Sequence, residues 1–167
     1  MKLWTWKKEN LPSTWHAVRT AVAATLSVLL ARLVRLPEAY WAVIATLVVM
    51  QSPLSSTVPL AVQRIVASAL GASLGTVESA CFGANLVAFS FTIFALGLIS
   101  SALRLERVGY SYAGMTLAII VLIPRPEAPW IAAVHRFAEV SLGILVALAV
   151  VAVWREEQRL FGDAKRE

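Results

Sequence analysis

The sequence is short of the groups that make metal centres and covalent catalysis. It has one cysteine and two histidines in 167 residues. One cysteine excludes an intrachain disulfide and a cysteine-only metal site. With no nearby Asp or clustered His, Cys81 reads as a small apolar residue. His16 and His135 lie far apart in the chain. No phosphate loop, HExxH pair or nucleophile with a convincing base appears, so neither an enzyme nor a cofactor or metal is expected. Acidic residues are also scarce, 10 against 15 Lys and Arg. The basic residues fall in small groups between apolar runs, which excludes nucleic acid as a partner. Positive charge at loop ends is the pattern of a membrane protein.

Apolar residues are abundant. They make up 59% of the chain, against ~45–50% in globular domains. A soluble domain of this length cannot hide that much apolar surface. The expected fold is therefore an all-α membrane protein. Six spans are expected, roughly 17–36, 39–58, 62–82, 85–103, 108–124 and 131–154. Each is near the ~20 residues that cross ~30 Å of hydrocarbon. No alternating ~10-residue segments suggest a barrel. Residues 1–16 are expected to be cytoplasmic or interfacial, with Trp4 and Trp6 in a short interfacial helix or a disordered start. No cleavable signal is expected there. Residues 155–167 are expected to be a charged cytoplasmic tail that extends span six. Trp15, Trp41, Trp130 and Trp154 fall at span ends, as an interfacial belt does. Pro53 and Pro59 mark where span two leaves the bilayer or breaks.

Orientation follows from the Lys and Arg distribution. With both termini in the cytoplasm, eleven of these residues lie inside and four (Arg32, Arg35, Arg125 and Arg136) outside. The bias predicts N-in and C-in.

Sliding the chain by 72 positions without a gap places Arg32 on Arg104, Arg35 on Arg107, Tyr40 on Tyr112, Arg64 on Arg136 and Gly71 on Gly143. Such weak symmetry is common in transporters. A true repeat would make spans 1–3 and 4–6 two halves of opposite topology. Arg64 would then lie toward the inner leaflet and Arg136 toward the outer one.

In span three, Arg64, Ser68, Gly71, Gly75 and Glu78 keep one helix face. This is either a plain packing face with a GxxxG or a polar path. In span six, AVHRFAEVSLG sets Arg136 three residues and His135 four residues before Glu139. Either Glu139 neutralises Arg136 and nothing binds, or Arg136 attracts an anion while Glu139 orients it. An Arg fork matches a carboxylate. His135 is either a proton carrier or a bystander. Tyr40 and Trp41 either stack on an aromatic ligand or belong to the belt. Gln51-Ser52-Pro53 is either a binding turn or a helix end. Snorkelling to lipid phosphates is the plain explanation for Arg19 and Arg32, and is expected to hold for at least one of them.

LPEAYWAVIATLVVMQSP, then VQRIVASALGASLG, then HRFAEVSLG resemble the fusaric acid resistance family, the aromatic acid exporters. Arg19 matches the basic residue that heads the family's first span. The likeness runs over most of residues 15–154. Where members usually show Gly-Thr after the third-span Arg, this chain has Ala67-Ser68. Many members carry two membrane units and cytoplasmic domains, where this sequence shows one unit. The resemblance implies a bacterial inner-membrane protein that exports aromatic carboxylates with proton coupling. The plant aluminium-activated malate channels are distantly similar and suggest the alternative, an organic-anion channel built as a dimer. A non-transporting accessory subunit is a further reading, and a lipid-acting enzyme the least supported. The expected partners are a small organic anion, the lipid bilayer and a second copy in a homodimer or higher oligomer.

Overall fold

The computed structural model describes residues 14–51, 57–124 and 126–163. The interfacial-helix expectation for Trp4 and Trp6, most of the 1–16 segment, and Ser52-Pro53 lie outside the described residues.

Among the described residues there is no strand and there are six helices. They are α1 Thr14–Leu33, α2 Tyr40–Met50, α3 Thr57–Phe82, α4 Leu86–Ala102, α5 Arg107–Leu122 and α6 Pro129–Asp163. Three are long and apolar enough to cross a membrane, over Thr14–Leu33, Val58–Phe82 and Pro129–Trp154. The other three are shorter. At ~1.5 Å per residue, the 17 residues of α4 and 16 of α5 reach about 25 Å. The 11 residues of α2 reach about 16 Å, so α2 stops well short of the span expected over 39–58. The helix of α6 continues through the charged segment to Asp163.

Local chemistry sets these ends. Pro59 and Pro129 sit in the first turns of α3 and α6, where the missing N–H costs nothing. Asn85 caps α4 by accepting from the Val87 and Ala88 N–H groups. Gly83 ends α3 with φ of 62°. α1 and α4 close alike. The Leu36 N–H donates to Ala31 O and the Arg35 N–H to Arg32 O. The Leu105 N–H likewise donates to Ser100 O and the Arg104 N–H to Ser101 O. These are paired Schellman closures, with Arg35 at φ 58° and Arg104 at φ 54°.

Those two arginines are 69 positions apart, and the ungapped slide of 72 instead aligns Arg104 with Arg32. The physical reason is connection length. Arg104 to Tyr112 is two residues longer than Arg35 to Trp41, and Tyr112 to Arg136 is one longer than Trp41 to Arg64.

The core has two main clusters and a small third one of Ala72, Ile120 and Ala133 that joins α3, α5 and α6. Ala23 of α1, Ala45 and Val49 of α2, and Val140, Ile144 and Ala147 of α6 form one. Ala67 of α3, Leu96 of α4, and Ala113 and Leu117 of α5 form the other. The third helix in sequence thus packs with α4 and α5, and the sixth with α1 and α2. The closest approaches match. A Cβ on Gly71 would collide with the Ala113 carbonyl of α5, and one on Gly143 with the Ala42 carbonyl of α2. α3 and α6 also pack on each other. Large apolar side chains such as Leu29 and Leu33 of α1 and Phe91 and Phe94 of α4 face outward, as a bundle in lipid requires.

Candidate functional site

Arg64 is the eighth residue of α3 and Arg136 the eighth of α6. Each is therefore about 10 Å from its helix start. Arg64 is 5% exposed and Arg136 3%. Each guanidinium lies over an aromatic ring of the helix its own helix packs against. Arg64 stands 4.0 Å from the Tyr112 ring centroid, and Arg136 stands 3.8 Å from that of Trp41. Tyr112 and Trp41 are thus counterparts in space, where the ungapped slide pairs Tyr112 with Tyr40.

Both arginines line one cavity of about 320 Å³ between α2, α3, α5 and α6. Ile44, Val48, Met115 and Ile119 supply its apolar walls. One helical turn beyond Arg64 is Ser68, and one turn beyond Tyr112 is Thr116; both line the cavity and both are buried. Thr116 Oγ1 donates to Tyr112 O at 3.1 Å. One turn beyond Arg136 the cavity is lined by Val140 instead. The Arg64 end therefore offers hydroxyls where the Arg136 end is apolar.

The two cations are treated differently. Arg136 Nη2 is 3.1 Å from Glu38 Oε2, and its Nη1 is 3.7 Å from Glu139 Oε2. The Glu38 N–H donates to Glu139 Oε1 at 2.8 Å, tying the α1–α2 turn to α6. Two carboxylates therefore face one guanidinium. Among the described residues no carboxylate lies within ion-pair range of Arg64. Among the described residues, its Nε and Nη1 have no hydrogen-bond partner, and neither has Trp41 Nε1. A cation–π contact is worth ~0.5–2 kcal/mol, whereas the effective cost of burying one charge is several kcal/mol. The Tyr112 ring does not offset that cost. A charge held at such a deficit makes Arg64 the candidate site residue of this cavity.

The other sequence candidates fall in several places. Glu139 meets Arg136 as their spacing allows. Gly71 and Gly75 lie against α5, with a Gly75 Cβ reaching 3.2 Å from Ile120 Cβ; neither lines the cavity. Tyr40 is largely exposed and stands beside Trp41, with ring centroids 5.5 Å apart. His135 faces outward, with Nδ1 3.9 Å from Glu127 Oε2. Glu78 is buried, with neither oxygen hydrogen-bonded to a described residue, and lies away from the cavity lining. Three contributors were missed. Glu38 carried a signal, an acid three residues before Trp41 in an otherwise apolar segment. Tyr112 becomes visible once it is aligned with Trp41. Thr116 carried no signal.

These features define a helical membrane protein with a charged, partly apolar cavity inside its bundle. The chain belongs to the fusaric acid resistance protein-like family, whose profile matches residues 22–150. It is also 32% identical over 151 residues to Inner membrane protein YeeA of Escherichia coli (strain K12). That match covers 87% of this chain and 42% of the relative, so the chain spans less than half of that protein's length. No solved structure matches the chain.

Proposed function

We propose that this protein is an inner-membrane transporter that exports organic, chiefly aromatic, carboxylate anions, and that it is not an enzyme. The observation that carries this reading is Arg64, a buried guanidinium without a carboxylate, facing a cavity with apolar walls. Family membership and the likeness to an inner-membrane protein support the membrane part of the reading. A carboxylate accepts the two parallel N–H groups that a guanidinium presents. An aromatic body fits among Trp41, Ile44 and Met115.

The six helices form two inverted three-helix halves, α1–α3 and α4–α6, with α2 the short crossing. The matched Schellman closures, the matched Arg-over-ring pairs and the matched glycine approaches support this. The Lys and Arg distribution supports both termini in the cytoplasm. Arg64 then faces the side from which an exported anion arrives. A bundle this small has little room for a sealed pathway, so a homodimer or larger assembly is the working unit. A C-terminal reporter found in the periplasm would refute the orientation, and crosslinking in native membranes that traps only monomer would refute the assembly.

The functional test is flux of labelled benzoate in proteoliposomes, with wild type, Arg64→Gln and protein-free vesicles. Wild type is expected to transport and Arg64→Gln to lose at least tenfold of the rate. No flux of benzoate or of a broad anion panel by wild type would overturn the reading in favour of a non-transporting accessory subunit. Dependence of the flux on an imposed pH gradient separates a proton-coupled carrier from a channel.

A further inference from the structure

Glu38 gives the cavity a direction. Its carboxylate does not line the cavity but pairs at 3.1 Å with Arg136, which does. Glu139 holds the same guanidinium from its own helix and pins the Glu38 backbone N–H at 2.8 Å. Among the described residues, the other end of the cavity has no such group. Where α6 carries Glu139, three residues after Arg136, α3 carries Ala67, three residues after Arg64. Where Glu38 precedes Trp41 by three residues, Gly109 precedes Tyr112 by three. The hydroxyls are arranged the opposite way. Ser68 lies on the Arg64 side, and its place on the Arg136 side is taken by Val140.

We infer that the cavity is a one-headed anion site, in which Glu38 acts as a built-in counter-anion that closes the Arg136 end to a second charge. The inference rests on reading the cavity as an organic-anion site. It assigns the ligand class as monoanions with one apolar end. The charged group sits at Arg64 and Ser68, and the apolar body lies toward Trp41 and Val140. Trp41 Nε1, a buried donor without an acceptor among the described residues, suits a neutral acceptor on that body. Glu38 is then a specificity-determining residue. A dicarboxylate bound at Arg64 would set its second carboxylate against Glu38 and Glu139, and like charges at such range repel strongly in a low-dielectric interior.

The test is calorimetric binding to the full chain in nanodiscs, with dicarboxylates from succinate to pimelate and matching monocarboxylates from butyrate to heptanoate. Each variant is first accepted on its elution profile and melting temperature. Wild type is expected to favour the monocarboxylate at least tenfold at every chain length. Glu38→Gln is expected to narrow that preference at least tenfold at the length that spans the two arginines. Arg64→Gln is expected to lose monocarboxylate binding, and Arg64→Lys, the safeguard against a folding defect, to retain part of it. The inference is overturned if wild type binds any dicarboxylate as tightly as its partner, or if Glu38→Gln leaves the ratio unchanged at every length. If wild type binds none of either series, the organic-anion reading falls and this inference with it.

Discussion

The bundle built from α1, α2 and α6 and the bundle built from α3, α4 and α5 share a plan and differ in how they handle polarity. In the first, the buried arginine and a buried threonine meet polar partners on neighbouring segments. Arg136 meets Glu38 and Glu139. Thr46 Oγ1 lies 2.9 Å from Ser27 Oγ of α1 and 2.9 Å from Gly143 O of α6, tying three helices together. In the second, the same positions are apolar or unmatched. Leu96 and Leu117 are fully buried there, and Arg64 faces a ring and a cavity. A buried ion pair holds a structure in register, and breaking one from one side is costly. A buried cation without a counter-charge destabilises its surroundings unless a ligand completes it. One half thus reads as the clamp and the other as the receptor.

The largest expected contrast comes from removing each charge in turn. Arg136→Gln leaves the buried Glu139 and the partly buried Glu38 without their shared cation and is expected to cost about 3–5 kcal/mol. Arg64→Gln removes a charge with no counter-charge and is expected to change stability by less than about 1 kcal/mol, or to raise it. Thermal unfolding in detergent without added anion compares the two. Equal losses would erase the distinction between clamp and receptor.

The next contrast should vanish, because both halves share the close helix approach. Gly71→Ala and Gly143→Ala each push a methyl into a backbone carbonyl. Each is expected to cost about 1–3 kcal/mol, as overpacking does. A large loss at one glycine alone would break the equivalence of the two approaches.

A smaller effect is expected at the clamp's polar knot. Thr46→Val keeps the shape and removes the hydroxyl, leaving Ser27 with one partner fewer. The expected loss is about 1–2 kcal/mol, seen as a lower melting temperature. Leu117→Thr in the other half is expected to destabilise too, for the opposite reason: it buries a hydroxyl among apolar neighbours.

The smallest effects have the opposite sign. Arg35 and Arg104 both hold a left-handed backbone, which costs a side-chain-bearing residue roughly 1 kcal/mol. Arg35→Gly and Arg104→Gly are each expected to stabilise by up to about 1 kcal/mol in the same melting assay. Destabilisation by either would mean that its side chain contributes more than its backbone conformation costs.

Much of this was legible in the sequence because membrane helices announce themselves by apolar runs. The starts and ends of α3, α4 and α5 lie within about five residues of the expected spans. The end of α2 at Met50 was signalled by the polar break Gln51-Ser52-Pro53, yet the span expected over 39–58 ran past it, because about 20 residues are needed to cross the hydrocarbon. Of the site, the two arginines and the Arg136–Glu139 pair could be read from spacing along a single helix. The Arg64–Tyr112, Arg136–Trp41 and Arg136–Glu38 contacts join distant parts of the chain, which spacing along a single helix does not reveal.

The central claim is that an anion docks at the Arg64 end and points its apolar body toward Trp41. The most direct measurement is a structure with 4-bromobenzoate bound, the bromine located by anomalous scattering. The account predicts the carboxylate on Arg64 and Ser68 and the bromine beside Trp41 and Val140. A bromine beside Tyr112 with the carboxylate on Arg136, or equal occupancy of both orientations, would contradict it.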